Sequence, residues 1–281
     1  ATEIDVDAVS DGQQVFIGGI MEHIEEAGVH SGDSACALPP ISLSEPILKA
    51  VKDQTVLLAK ALNVIGLMNV QYAVKNEVLY ILEVNPRGSR TVPFVSKATG
   101  VPLAKAAMKA IMGVPLSEMG ILTERPLKHV AVKEAVFPFK RLEVDPTLGP
   151  EMKSTGEVMG IDLDFGRAYA KAQAASDNLL PIKGKVFLSV KDRDKPKLIS
   201  VAKRLFELGF DLTATRKTAE YLKEHGLHAE PINKVKEGSP HIVDLLQKGE
   251  IQCVINTVGD RASQIDSYEI RKTVLQYGIP Y

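Results

Sequence analysis

From residue 185 onward the chain alternates short apolar runs with longer amphipathic ones, and that alternation restricts the fold more than any other feature. "KVFLSV", "DLTAT", "AEPI" and "IQCVINT" read as strands, and the stretches 196–208, 217–225, 240–248 and 264–276 read as helices. A strand that passes through a helix before its neighbour begins runs parallel to that neighbour, so the pattern specifies a parallel sheet with helices on both faces. Before residue 178 the strands come in pairs around tight turns instead, and "SDNLLPIKGK" between the two regions reads as a linker. Two domains are therefore expected, 1–177 and 178–281, α/β overall, with an antiparallel sheet first and a parallel one second. A chain of 281 residues is long for one core and suits two.

In the first region, residues 1 to 9 set Ile4, Val6 and Ala8 against Asp5 and Asp7, and "QQVFIGGIMEHI" returns after the Asp11-Gly12 turn as the second arm of a hairpin. "EEAGVHSGDSACALPP" reads as loop. A helix is expected over 44–62, with Ser44 as N-cap, Pro46 in its first turn and Gly66 after its end. "FVSKATGVPLAKAAMKAIMG" reads as two helical pieces broken at Gly100, "KHVAVKEAVFPF" as a strand, 141–160 as a loop and 164–176 as a helix.

The stretch "LMNVQYAVKNEVLYILEVNPRGSR" combines a hairpin with an unusual set of side chains. A turn centred on residue 77 puts Gln71 opposite Glu83 and Asn69 opposite Asn85, all on one face. A slip of one residue would turn Gln71 away. One carboxylate and two amides supply oxygen donors of the kind Mg²⁺ prefers, and Arg87 and Arg90 just beyond offer planar forks for phosphate or carboxylate oxygens. On spacing alone the same pattern also suits a sheet with one solvated face, and both readings stand at this point. His30, in the glycine-bearing "AGVHSGDS", is either a ligand contact or part of a simple turn. The other histidines have no zinc-like spacing, and no Ser-His-Asp or Cys-His arrangement is recognisable.

The net charge of −1 argues against a nucleic-acid or membrane-surface partner. Only two cysteines are present, Cys36 and Cys253, and no run of 18 apolar residues or signal peptide is seen, so a reducing, cytoplasmic setting is expected. The chain opens without Met and stops in a strand-like stretch, which reads as a fragment of something larger.

"GGIMEHIEEAGVHSGDSACALPP", "GLMNVQYAVKN", "LEVNPRGSRTVPFVSKATGVPLAK" and "LGPEMKSTGEVMG" together closely resemble the large chain of carbamoyl-phosphate synthetase. The resemblance runs in order along the whole chain. It implies the later part of the second ATP-grasp unit, an α+β domain, followed by most of a Rossmann-like regulatory domain similar to methylglyoxal synthase. It further implies phosphorylation of carbamate by ATP with Mg²⁺ (or Mn²⁺), allosteric control by a nucleotide effector, and a place in pyrimidine and arginine biosynthesis. The implied partners are a small glutamine-amidotransferase chain and the remainder of the large chain.

By the same resemblance Gln71, Glu83 and Asn85 are metal ligands, the first two also at the nucleotide. Glu3, Gly28, Val29, His30 and Ser31 contact the nucleotide, and Arg90, with Arg87 beside it, handles carbamate or phosphate. Lys195, Thr215, Thr218, Lys234 and Asn256 match effector-binding positions at strand ends. Thr257 is followed by Val258, where a second hydroxyl would add a hydrogen bond, and this leaves the effector's identity open. The glycine-rich flap of an ATP-grasp unit would precede residue 1, so the isolated chain is expected to be inactive. Two other functions compete with this one. A different ATP-grasp ligase would lack an effector domain after 178, and a purely regulatory module would bind an effector without catalysis.

Overall fold

The structure is a computed structural model that describes residues 1–122, 126–142, 145–258, 265 and 267–281. The chain divides into two compact units. One comprises Ala1–Phe137 with Leu148–Ser176, the other Pro138–Thr147 with Asp177–Tyr281. Residues 138–147, which the sequence reading placed in the first domain, thus pack with the second unit. No helix among the described residues is long and apolar enough to cross a membrane.

The first unit is built on an antiparallel sheet of seven strands: β1 (Thr2–Asp11), β2 (Val15–Glu26), β3 (Cys36–Leu38), β4 (Ile65–Lys75), β5 (Val78–Asn85), β6 (Val130–Val136) and β7 (Gly156–Asp162), in the order β5-β4-β1-β2-β3-β6-β7. Asp11 fixes the first hairpin, its Oδ1 accepting from the amides of Gln13 and Gln14 at 2.9 and 2.7 Å. Helix α1 (Glu45–Ala61) buries Ile47, Val51, Thr55 and Ala59, a stripe at four-residue spacing. That stripe joins one cluster with Ile4, Val6, Val70 and Tyr72 from one face of the sheet. Within it the hydroxyls of Thr55 and Tyr72 lie 2.8 Å apart, each satisfying the other away from water. Helices α2 (Val92–Thr99) and α3 (Leu103–Ile111) join a second cluster with Val9, Met21 and Leu38 on the opposite face.

Several boundaries differ from the sequence reading. Ser44 sits at the N-cap of α1 but gives its hydroxyl to Glu77 Oε2 at 2.9 Å and caps nothing. The chain leaves α1 through Leu62 and Asn63, whose φ is +50°, so Gly66 is not the stop. Gly66 lies within β4 at φ +109°, where a Cβ would come 3.1 Å from Ile111. Strands β3 and β7 form where loops were expected. In β7 the disguise is Gly160, whose Cβ would fall 2.1 Å from the carbonyl oxygen of Ala168 in helix α5 (Phe165–Ala175). Only glycine lets that helix lie so close to its strand.

The second unit contains helix α4 (Phe139–Leu142) and a parallel sheet whose strands are β8 (Lys185–Ser189), β9 (Asp211–Thr215), β10 (Glu230–Ile232) and β11 (Cys253–Asn256), in the order β10-β9-β8-β11. Helices α6 (Lys195–Glu207), α7 (Arg216–Glu224), α8 (Ile242–Gln247) and α9 (Tyr268–Tyr277) connect and follow them. Helix α9 was expected from 264; residues 259–264 and 266 lie outside the described ones. Val186 and Leu188 of β8 pack with α6 and α7, while Phe187 between them packs with α8 and α9. That is the two-faced burial the alternating pattern implies, and the expected order of an antiparallel unit followed by a parallel α/β unit holds. Arg271 of α9 donates to both carboxylate oxygens of Asp145, Nε to Oδ1 at 2.9 Å and Nη2 to Oδ2 at 2.7 Å. This fork holds Asp145 well below the usual carboxylate range.

Candidate functional site

The β4–β5 hairpin turns at Asn76 and Glu77, both with positive φ, a two-residue turn whose twist matches the strands it joins. Its register sets Gln71 opposite Glu83 and Asn69 opposite Asn85, and β1 adds Asp5 beside Gln71 and Asp7 beside Asn69. Side chains on one rung share a face, so two rungs of oxygen-bearing residues run across three strands. Asn69, Asp5 and Asp7 are buried, whereas Glu83 is exposed and makes no side-chain hydrogen bond among the described residues. Asn85 is half-buried, and its Oδ1 accepts from Nη2 of Arg87 at 3.1 Å.

The loop carrying Gly28, Val29, His30 and Ser31 is tied to this face at several points. Gly28 donates its amide to Glu3 Oε1 at 3.1 Å, and Val29 bridges back to Ala27. Nε2 of Gln71 donates to the Ser31 hydroxyl at 3.0 Å, which leaves Oε1 of Gln71 outside that bond. The His30 amide donates to the carbonyl of Gly149 at 2.8 Å, and His30 Nδ1 accepts from Gly32 at 3.0 Å. Asp33, fully buried, accepts from the amides of Lys153 and Ser154 at 2.8 and 2.9 Å. The structure therefore brings Glu3, the 28–31 loop and Gln71 together, with Glu83 and Asn85 on the adjoining strand.

Sequence reasoning missed the groups that hold this face in place. His23 of β2 is buried, with Nε2 2.9 Å from Asp5 Oδ2 and Nδ1 3.5 Å from Glu3 Oε2, the latter too long for a good hydrogen bond. Burial opposes its charge, but Cys36, Asp5 and Glu3 around the ring push it up to about 12. The same imidazole holds Glu3 below the usual carboxylate range. Lys133 of β6 is fully buried and donates to the carbonyl oxygen of Ser31 at 3.2 Å. Asp7 accepts from Asn69 Nδ2 at 2.9 Å, from Ser89 Oγ at 2.7 Å and from Thr91 Oγ1 at 2.6 Å. Burial nevertheless pushes Asp7 up to about 6. The signal for Asp5 and Asp7 was their place in the β1 alternation, where acidic residues usually mark a solvated face.

Arg87 and Arg90 are both exposed in the turn between β5 and α2. Arg90 and Lys97 each favour ionisation of Glu157, whose burial pushes it upward. Among the described residues no group of three or more His, Cys, Asp or Glu is placed to hold a metal ion. A separate cavity of about 360 Å³ in this unit, lined by Phe16, Leu38, Thr99 and Val101 among others, includes none of the predicted site residues.

In the second unit all five predicted effector positions line one cavity of about 530 Å³ at the C-terminal ends of β8, β9 and β11. Lys195 is buried, with Nζ 2.8 Å from Asp192, 3.3 Å from the Lys217 carbonyl and 5.6 Å from the Tyr221 ring centroid. Thr215 donates its hydroxyl to Thr218 at 3.1 Å, Asn256 donates to the Tyr281 hydroxyl at 3.0 Å, and the Lys234 amide donates to Glu237 at 2.9 Å.

Residues 1–119 match the carbamoyl-phosphate synthase L chain ATP binding domain, and residues 197–281 match the MGS-like domain. The chain is 56% identical to the carbamoyl phosphate synthase large chain of Methanoculleus marisnigri, over 100% of its own length and 27% of that protein's. It is 55% identical to the "Carbamoyl phosphate synthase large chain, C-terminal section" of Aquifex aeolicus, over 99% of this chain and 55% of that one. With the carbamoyl phosphate synthase large chain of Methanosarcina barkeri the identity is 53%, over 100% of this chain and 71% of that protein. The chain thus spans only 27% of the Methanoculleus protein but most of the Methanosarcina one. Identity above one half along the whole chain, with both domain matches in order, shows that it belongs to the carbamoyl phosphate synthase large chain family.

Proposed function

We propose that the first unit binds ATP with Mg²⁺ or Mn²⁺ and phosphorylates carbamate to carbamoyl phosphate, and that the second unit binds a nucleotide effector of this reaction. The supporting observation is the rung that faces Gln71 with Glu83 while the Gln71 amide nitrogen is engaged by Ser31. One carboxylate and the amide oxygens of Gln71 and Asn85 form a hard, oxygen-only donor set, which fits Mg²⁺. A cation held there supplies charge neutralisation on phosphate oxygens. Glu3 and the Gly28–Ser31 loop hold the nucleotide, and Arg87 and Arg90 hold the anionic acceptor through their planar forks. Phosphoryl transfer of this kind rests on positioning and charge, so the site needs no side-chain nucleophile. Carbamate is short-lived in water, and excluding solvent from it is part of the task.

In this reading a small glutamine-amidotransferase chain supplies ammonia, the remainder of the large chain completes the nucleotide site, and the product enters pyrimidine and arginine biosynthesis. The test is ATP formation from ADP and carbamoyl phosphate by the full-length large chain carrying Glu83→Gln. Its rate should fall roughly a hundredfold or more, in line with loss of a metal-holding carboxylate. A rate within about twofold of the parent's would overturn the reading. A purely regulatory role is the second reading, favoured by the convergence of five predicted effector residues on one cavity. It predicts saturable effector heat in calorimetry with none from ATP and Mg²⁺.

A further inference from the structure

The turn between β5 and α2 carries both arginines yet has little to hold it. Pro86, Arg87, Gly88 and Arg90 are exposed. Its local ties are the Arg87 amide to the Asn85 carbonyl at 2.8 Å, Arg87 Nη2 to Asn85 Oδ1 at 3.1 Å and Arg87 Nη1 to the Gly88 carbonyl at 3.0 Å, none of which reaches a strand other than β5, where the turn begins. Two hydroxyls do so. Ser89 and Thr91 both donate to the carboxylate of Asp7, at 2.7 and 2.6 Å on different oxygens, and lie 2.7 Å from each other. Thr91 is the N-cap residue of α2 but makes no capping bond; its hydroxyl goes to Asp7. Asn69 of β4 donates to Oδ1, the oxygen that Ser89 also reaches, at 2.9 Å, so Asp7 is itself held by the neighbouring strand. Among the described residues, Asp7 is the only partner beyond the β5–α2 segment that the hydrogen bonds of residues 86–91 reach.

We propose that Asp7 is a positioning residue that clamps the 86–91 turn through Ser89 and Thr91, and so sets where Arg87 and Arg90 meet the anionic acceptor. This rests on the reading of those arginines given above. Asp7 is fully buried, and burial of a carboxylate is unfavourable unless several donors offset it. Three donors converge here, two of them from the turn. A group misplaced by about an ångström loses roughly a hundredfold in rate, so a clamp at this point bears directly on catalysis.

The experiment uses the full-length large chain and measures ATP formation from ADP and carbamoyl phosphate. Asp7→Ala and Thr91→Val remove the clamp; Thr91→Ser keeps the donor, and Asp7→Asn keeps the shape but turns one of the two acceptor oxygens into a donor. Asp7→Ala and Thr91→Val should lower kcat by roughly tenfold to a hundredfold and raise KM for carbamoyl phosphate, with KM for ADP within about twofold of the parent's. Thr91→Ser should stay within about threefold of the parent, and Asp7→Asn should fall between Asp7→Ala and the parent. In parallel, trypsin should cut after Arg87 and Arg90 faster in Asp7→Ala than in the parent at a temperature well below both Tm values. Parent-like kcat and KM in both disruptive variants would overturn the proposal. So would a lowered Tm accompanied by equal changes for both substrates, because that marks a general structural role. If Asp7→Ala does not fold, the Thr91→Val and Thr91→Ser pair decides alone. Glu83→Gln in the same assay separates the two levels: an active Glu83→Gln sinks the site itself, whereas an inactive one beside a parent-like Thr91→Val sinks only the clamp.

Discussion

The two candidate sites sit on their sheets in opposite ways. In the first unit the predicted metal ligands project from paired antiparallel strands, Gln71 within β4 and Glu83 and Asn85 at the end of β5, and neighbouring positions are filled by Asp5, Asp7, His23 and Asn69, all buried and linked by hydrogen bonds. In the second unit the five predicted residues gather where parallel strands stop, around an open cavity of about 530 Å³. A site on paired strands is fixed by register and needs a buried polar network to stay solvated from within. A strand-end site depends on loops, which change with little effect on the sheet below.

The sharpest way to break this contrast is to disturb the other face of the antiparallel sheet. Tyr72→Ala empties a fully buried position, so unfolding of the first unit should ease by about 4 kcal/mol. The ADP-dependent assay should fail with it, while effector binding by the second unit persists. A change in Tm below a few degrees would show that the two faces are not coupled through register.

A second prediction separates stability from function within the first sheet. The folded pKa of Asp7 is raised to about 6 from 3.8 by burial. Its contribution is therefore fully present below about 3.8, where the group is protonated in both states, and is lost as pH rises through about 6. Asp7→Asn escapes that loss. Its stability advantage over the parent should grow from pH 4 to pH 7 by up to about 3 kcal/mol and then level off. A margin that stays flat across this range in urea titrations contradicts the raised pKa.

The second unit should respond more mildly. Lys195→Ala removes a buried ammonium from the lining of its cavity and should weaken a phosphate-bearing effector about tenfold in calorimetry, or about 1.4 kcal/mol. Unchanged affinity would remove this cavity from consideration as the effector site. Smallest is Arg271→Ala. Asp145 is 35% exposed, so solvent screens the pair and the loss should be about 1 kcal/mol at pH 7. Because the folded pKa of Asp145 is depressed, that difference should shrink as pH falls below about 4.

Much of this molecule was legible in sequence because its strongest signals are local. The hairpin turn at 76–77 fixed the pairing of Gln71 with Glu83, and the strand–helix alternation after 185 gave the parallel sheet. What stayed hidden depends on contacts from elsewhere in the chain. Strand β3 is three residues long and takes its pairing from β2 and β6, and β7 hides behind the glycine that admits α5. Asp5 and Asp7 lie in the pattern of a solvated face; that the face is covered emerges only once Asn69, Ser89 and Thr91 arrive from distant positions. Lys133 lies far along the chain from Ser31, and nothing near either residue announces the other.

The excursion of residues 138–147 bears on how this protein can be taken apart. After β6 the backbone departs to pack with the other unit, fastened there by the Asp145–Arg271 fork, and comes back to make β7. Scissors placed at the linker near Asp177 therefore do not yield two self-contained pieces. The upstream piece would keep a ten-residue tongue bereft of its seat, with Phe139 turned out to water, and the downstream piece would carry a vacant berth along α9. A clean excision has to sever the chain three times, at each flank of the tongue and at the linker, which makes the two halves heirlooms of a single chain more than interchangeable cassettes.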